Sequence, residues 1–494
     1  MRPPARYSSN MMFANRRSCF IHAAAILIAC SVPSAAQERP VRRLTAGAST
    51  SNITPPLGEP IVGNWVPVPA TYVHDELHAR CLVLDDGESR IAIVVADNVG
   101  IPRRVLDEAK RLIARHTNIP VERILLAATH THSATTARTS AEQDDPQAPL
   151  TEYQQFLASR ISDGVRRAVA NLEPARIGWG SGTLPEQVFN RRWFMKAGPY
   201  LNNPFGATDQ VMMNPPVGSA DLIKPAGPTD PEISFVSVQS ASGRPLAVLA
   251  NYSLHYVGGV PNGHVSADYF AVFARQMAHL LARDAHAPPF VAMLSNGTSG
   301  NINNINFRGG QTRLPPYARM ELVANQVAAE VFKAMQSIEY HDSVPLKVVQ
   351  AELTLETRRP EAEKLAPWAR GVLAGQESAR PNHPRERIYA ERILQMLAMP
   401  SRVDVPLQAL RIGDLAIATI PFEVFVEMGL ELKARSPFPD TFVVSLANGA
   451  YGYLPTADHH QLGGYETWLG TNQVEVHAAT RIVDALLKMF AELR

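Results

Sequence analysis

At 494 residues the chain exceeds the usual size of one hydrophobic core, and its 46% hydrophobic and 19% charged residues describe an ordinary globular protein. A formal charge of +1, with no block of lysine and arginine, gives no pull toward nucleic acid. Thirty-nine prolines favour long structured loops over a helical bundle.

The N-terminus reads as a targeting segment. Arg16-Arg17 precede an apolar run over 20–32, and Ser34-Ala35-Ala36 offers a small-residue cleavage site before Gln37. The run is too short for a permanent bilayer span. Residues 1–36 are therefore expected to be a signal peptide, leaving 37–494 as an exported chain, periplasmic or secreted, with no integral membrane span after processing. Leu27-Ile28-Ala29-Cys30 also resembles a lipoprotein processing box, so a lipid anchor on Cys30 is the alternative. Cys81, inside Cys81-Leu82-Val83-Leu84, reads as a buried apolar residue and not as a nucleophile.

Along the chain, residues 79–97 predict a hairpin around the turn Asp85-Asp86-Gly87-Glu88. A helix over about 102–116 follows, and then the apolar strand Ile124-Leu125-Leu126-Ala127-Ala128. This alternation predicts an α/β fold: a layered mixed-sheet domain with helices packed on it and long active-site loops. The stretches 135–149 and 195–231 are rich in Pro, Asn, Gly and Asp and read as those loops. Strand 246–250 leads to His255, and a helix over 267–283 takes Ser266 as N-cap and Asp268 in its first turn. Strand 290–294 empties into Asn296-Gly297-Thr298-Ser299-Gly300-Asn301. Residues 359–400 read as a helical insertion. Strands 415–420 and 442–446 end at Glu423 and at Asn448-Gly449, and an amphipathic helix carrying Ile482, Val483, Leu486, Leu487 and Phe490 on one face closes the chain.

The strand at 124–128 runs into Thr129-His130-Thr131-His132. Residues two apart on a strand share a face, so His130 and His132 would project together, either as half of a zinc site or as a hydrogen-bonded surface pair. Successive apolar strands end in His130/His132, His255, the Asn296–Asn301 loop, Glu423 and the 448–453 turn. Such clustering at the carboxyl ends of strands points to one site. Other patterns are weaker. His74 and His78 are four apart but lack the glutamate of a metalloprotease helix. His459-His460 reads as a solvated loop pair. Gly178, Gly180 and Gly182 make no phosphate loop, and Gly297-Thr298-Ser299-Gly300 is not a nucleophile elbow.

Over nearly all of the chain after the leader, the ordered motifs Thr129–Ser133, Asn190-Arg191, Asn251–His255, Pro421-Phe422-Glu423, Tyr451–Thr456 and Gly464-Tyr465-Glu466 resemble the neutral/alkaline ceramidases. These are zinc amidohydrolases that act on N-acylsphingosine. The resemblance implies a Zn²⁺ cofactor held by His130, His255, Glu423 and Tyr453, with Tyr465 near the oxyanion, His132 as a proton-transfer or substrate-orienting group, and Arg191 in the active site. It implies a small-molecule or lipid-like substrate that meets a loop of Asn296, Gly297, Ser299, Gly300, Asn301 and Asn303. The chain departs from the family in two ways. Asn303 stands where the family carries its proposed nucleophilic serine, with Ser299 the nearest hydroxyl, and no C-terminal immunoglobulin-like domain such as these enzymes usually carry is expected. Zinc-activated water then becomes the expected nucleophile, and amide cleavage the expected reaction. An esterase, lactonase or sugar-directed hydrolase with the same metal is the first alternative. A non-catalytic binding protein with a structural metal is the second.

Overall fold

Runs of valine, isoleucine, leucine and alanine form strands that are buried on both faces, because two sheets stack on each other and helices cover the outside of each. The computed structural model describes residues 43–63, 66–138, 148–281, 290–375 and 383–494. Arg16, Arg17 and Cys30, and with them the leader reading, lie outside these residues.

The first part runs β1 (Thr45–Asn52), β2 (His78–Asp85), β3 (Arg90–Ala96), α1 (Arg103–Thr117), β4 (Ile124–Ala128) and α2 (Glu152–Ala170). Next come β5 (Glu173–Thr183), β6 (Glu232–Ser240), β7 (Pro245–Tyr252), α3 (Asp268–Leu281), β8 (Val291–Asn296) and α4 (Ala318–Ala334). The last part is β9 (Leu346–Glu356), α5 (Arg359–Leu373), α6 (Glu386–Ala398), β10 (Arg402–Ile412), β11 (Leu415–Ile420), α7 (Val426–Arg435), β12 (Asp440–Ser445) and α8 (Ala478–Leu493).

Eight strands form one sheet in the order β8-β7-β6-β5-β1-β2-β3-β4, and four form a second in the order β9-β10-β11-β12. Three neighbouring pairs, β3/β4, β7/β8 and β11/β12, are parallel, and the rest are antiparallel. The sheets are therefore mixed, as the alternation of elements predicts. Between them lies a core that includes Leu82, Ile93, Leu125, Val236, Leu249 and Met293 from the first sheet and Leu410, Ile417, Phe442 and Val444 from the second. The outer face of β1–β4 is covered by α1 and α2 through Val105, Leu106, Ile113, Leu157 and Ile161. α3 and α4 cover β6–β8 through Phe270, Phe273, Val323 and Val327, while α7 and α8 cover the second sheet through Met428, Leu432, Ile482, Leu486 and Phe490. The result is four layers, helix–sheet–sheet–helix.

Several elements differ from the sequence reading. α2, a helix absent from the sequence reading, begins on a capping box in which Thr151 and Gln154 satisfy each other's backbone. The stretch 195–231 is not loop throughout, because Arg192–Met195 pairs with Val211–Met213 and Leu222–Pro225. Residues 359–400, by contrast, carry helices as read: α5 and α6 pack on each other between β9 and β10, whose register runs from Leu346↔Ile412 to Glu356↔Arg402. Among the described residues no helix is long and apolar enough to cross a membrane.

Phe442 is fully buried where the two sheets meet. Replacing Phe442 with Ala is expected to cost about 3–5 kcal/mol, and a urea titration followed by circular dichroism would read it. A cost under about 1 kcal/mol would mean that this interface collapses freely around the gap.

Candidate metal centre

β4 stops at Ala128, so strand alternation is not what brings the two histidines together. The chain instead turns at His130, which takes a left-handed conformation with φ of 70° and anchors its N–H on the Asn98 carbonyl at 2.9 Å. Such a conformation costs about 1–3 kcal/mol in a non-glycine residue and persists only where surrounding structure holds it. Thr131 points the other way and donates to the Ser266 carbonyl at 2.7 Å. His132 then returns toward His130 and sets its Nδ1 3.1 Å from the Gly63 carbonyl. Gly63 has a φ of 146°, and a side chain there would run into the His132 backbone.

His255 follows β7 and completes a group of three imidazoles. Each uses Nδ1 on a backbone carbonyl: His130 on Val99 at 2.5 Å, His132 on Gly63, and His255 on Ser299 at 3.0 Å. Each therefore presents Nε2 to the others. The His130 Nε2 lies 3.0 Å from that of His255 and 3.1 Å from that of His132. Glu423 and Tyr453 arrive as direct partners in a short parallel ladder, Glu423–Val424 against Tyr453–Leu454. The Glu423 Oε2 is 3.3 Å from His130 Nε2 and 3.8 Å from His255 Nε2, and it is buried with no hydrogen bond of its own.

This donor set fits a cation. One proton at most can sit on His130 Nε2, and it cannot point at two imidazole nitrogens and a carboxylate oxygen together. A metal ion satisfies all of them at once. Carbonyls on the outer nitrogens are the usual way to fix the tautomer and aim of ligating histidines. The three histidines could thus hold a metal ion.

Burial and the facing His130 ring bring His132 down to about 3, and burial with the neighbouring Arg191, His130 and His132 holds His255 well below the usual imidazole range. Both rings are neutral donors at pH 7. Burial works against ionisation of Glu423, yet His130, Tyr453 and Arg191 carry it down to about 2. Burial pushes the Tyr453 hydroxyl well up, against the pull of Arg191. The Arg191 guanidinium donates to the Tyr453 hydroxyl at 2.9 Å and to the Gly300 carbonyl at 2.7 Å. Behind it, Glu466 is fully buried between Arg191 at 3.5 Å and Arg192 at 2.7 Å. Tyr465 sets its ring 5.7 Å from that of Tyr453, and its hydroxyl bonds to Arg392 of α6.

The loop that was expected to meet substrate is instead largely internal. Asn296, Ser299 and Asn301 are at most 2% exposed. Ser299 donates to Asn296 at 2.7 Å and lies on the Nδ1 side of His255, away from the converging nitrogens. Asn301 holds the start of α7 by accepting from the Val426 N–H and donating to Glu427. Gly297 packs against Ser253 and Asn251, and a side chain on Gly300 would meet the Glu423 carbonyl at 2.6 Å. The Asn303 amide is taken up by Asn214 and the Ile305 N–H.

Sequence reasoning missed the backbone carbonyls of Gly63 and Val99, the role of Glu466, and Tyr256, which stacks on His132 at 3.8 Å. Only Tyr256 left a signal, being the neighbour of His255. Asp268 stands in the first turn of α3 as read, where it accepts from the Tyr269 N–H at 2.6 Å. It takes a φ of 55° and accepts from the Val257 and Gly258 N–H groups, tying down the chain after His255. Ser266 accepts from the Asp268 N–H at 2.9 Å. Among the decoys, His459 pairs with Glu427 at 3.3 Å and Gly178–Gly182 lie within β5.

The sequence profile described as neutral/alkaline non-lysosomal ceramidase, N-terminal, matches residues 47–313. The chain belongs to this family. It is 25% identical to the neutral ceramidase of Pseudomonas aeruginosa over 336 residues, which are 63% of this chain and 46% of that protein. The chain thus matches about half the length of this ceramidase. The crystal structure of neutral ceramidase from Pseudomonas aeruginosa superposes with a TM-score of 0.65 at 19% identity, covering 91% of this chain and 74% of the other. A ceramidase complexed with C2 gives 0.66 at 18%, covering 92% and 75%. At these identities the structures show a shared ceramidase fold.

The lowered groups set a direction for acid sensitivity. His132, at about 3 when folded against 6.5 ordinarily, stays neutral in the native state while the unfolded chain takes up its proton. Glu423 behaves likewise between 4.5 and about 2. Both contributions are present at neutral pH and are lost on acidification, the first from about 6.5 down to 3. Urea unfolding of chelator-treated protein is expected to show stability falling across that window, and less steeply in His132→Phe. Equal slopes for the two proteins would contradict the assignment.

Proposed function

We propose that this chain is an exported zinc-dependent hydrolase that cleaves the amide of an N-acyl, lipid-like substrate. The observation that carries the reading is the meeting of three imidazole Nε2 atoms with an unpartnered, buried Glu423 oxygen. Family membership supports the hydrolase class, while substrate and metal are our inference.

In this reading His130, His255, Glu423 and Tyr453 hold the zinc. When bound, zinc supplies a Lewis acid and makes water a usable nucleophile near neutral pH. His132 accepts and returns the proton, its ring kept in place by Gly63 and by the Tyr256 stack. Arg191 acts through Tyr453, whose hydroxyl it orients. Tyr465, kept a neutral phenol by burial, donates to the charge that develops on the substrate oxygen. The nucleophile is water and not a side chain, because Asn303 has no hydroxyl and Ser299 is turned to the far side of His255.

Elemental analysis of purified protein is expected to give one zinc per chain, lost in His255→Ala and strongly reduced in Glu423→Gln. A panel of N-acyl amides, esters and lactones identifies the bond. Turnover of esters or lactones with none of amides would favour the alternative hydrolase, which Asn303 at the family's serine position also allows. Against the best substrate, Ser299→Ala should lose about tenfold or less, and His132→Ala about 10²–10⁴-fold. A Ser299→Ala loss as deep as that of His130→Ala, or an acyl group trapped on Ser299, would restore a serine mechanism.

Export is checked by mass spectrometry of the N-terminus in the native host. A start at Gln37 supports secretion and a lipidated Cys30 the anchored form, whereas an intact Met1 sinks both.

A further inference from the structure

α1 is amphipathic, yet one of its buried residues is Lys110, only 6% exposed among Leu106, Ala109 and Ile113. A lysine so placed normally finds a carboxylate, because an isolated buried ammonium is expensive. Of the acids that act on it, Asp107 and Glu352 are already engaged by Arg103, and Glu122 makes no ion pair with it among the described residues. Arg103 pairs with Glu352 through both terminal nitrogens at 2.7 and 2.8 Å, and its Nε reaches Asp107 at 3.2 Å. Among the described residues Lys110 makes no hydrogen bond or ion pair. It lines a cleft of about 230 Å³ with Arg103, Asp107, Gln350, Glu352 and Asn448.

A second unsatisfied group lies in the same cleft. The Gln350 Oε1 is buried without a partner. The Asn448 amide is taken up on both sides, accepting from the Leu126 N–H and donating to Gln408. Among the described residues, the groups of this cleft left without a partner are therefore the Lys110 ammonium and the Gln350 Oε1.

We infer that this cleft binds a small hydroxy-monocarboxylate, its carboxylate on Lys110 and its hydroxyl donating to Gln350. Charge sets the class. Arg103 is spent on Asp107 and Glu352, which leaves Lys110 as the cation for one carboxylate, while a dianion would also meet Asp107, Glu352 and Glu122. A hydroxyl donor is needed because a bare carboxylate leaves Gln350 unsatisfied. The volume equals that of roughly seven to eight liquid waters, enough for such a molecule. Burial lowers Lys110 to about 8, which leaves it mostly cationic at neutral pH. The inference is independent of the metal reading.

The test is calorimetric titration of the full chain with sodium glycolate, sodium acetate and inorganic phosphate at matched ionic strength. Glycolate should bind saturably, one per chain, and acetate about three- to tenfold more weakly. Lys110→Met should weaken glycolate by about tenfold or more. This variant removes an unpaired buried charge, so its melting temperature should equal or exceed that of the parent. Gln350→Leu should bind glycolate and acetate alike. The inference fails if glycolate does not saturate, if phosphate binds more tightly, or if Lys110→Met keeps the binding, which would put the anion elsewhere, such as at the histidines. It also fails if Gln350→Leu still prefers glycolate.

Discussion

Three backbone carbonyls, those of Val99, Gly63 and Ser299, decide the chemistry of this fold. Each takes the outer nitrogen of one imidazole, and together they force three lone pairs toward one point. Facing acceptors at 3.0 to 3.3 Å are unfavourable unless a positive charge lies among them. The rest of the architecture keeps those carbonyls still. Val99 follows β3, Ser299 follows β8, and Gly63 is tied through the Val62–Ala134 bridge to the segment after the histidines.

The parallel pairs explain why the site sits where it does. In each of β3/β4, β7/β8 and β11/β12 two strands leave the sheets in the same direction, so their following loops meet. His130 follows β4, His255 follows β7, the Asn296–Asn301 loop follows β8, and Glu423 follows β11. The antiparallel strands between these pairs give the sheets their width. A mixed topology thus combines a broad rigid frame with a clustered set of strand ends.

The strands that lead to His130, His255 and Glu423 were legible in the sequence because each is an apolar run strong enough to read as a strand. The strands at 124–128 and 415–420 have the read bounds, and β7 and β8 run slightly longer than read. What escaped were features with no local signature. The left-handed turn at His130 is imposed by contact with Asn98, not by a turn residue. β5 is continuous, but Gly178, Gly180 and Gly182 make it resemble a loop in composition. The pairing of Arg192–Met195 with 211–213 and 222–225 hides in a stretch dense in proline and asparagine. Glu466 looked like part of a motif, and only the folded chain shows it clasped by two adjacent arginines.

The α5–α6 pair leaves the second sheet at Glu356 and returns at Arg402, and these two residues face each other across the ladder. Its length is therefore invisible to the sheet, which would close the same way around a shorter or longer excursion. The excursion is not idle, however. Tyr389 and Arg392 hold the Thr471 hydroxyl at 2.7 and 2.9 Å, Arg358 holds the Thr467 carbonyl, and Arg392 also meets Tyr465. The excursion acts as an adjustable brace. Sequence change within it can retune the edge of the candidate site while the layered frame stays as it is.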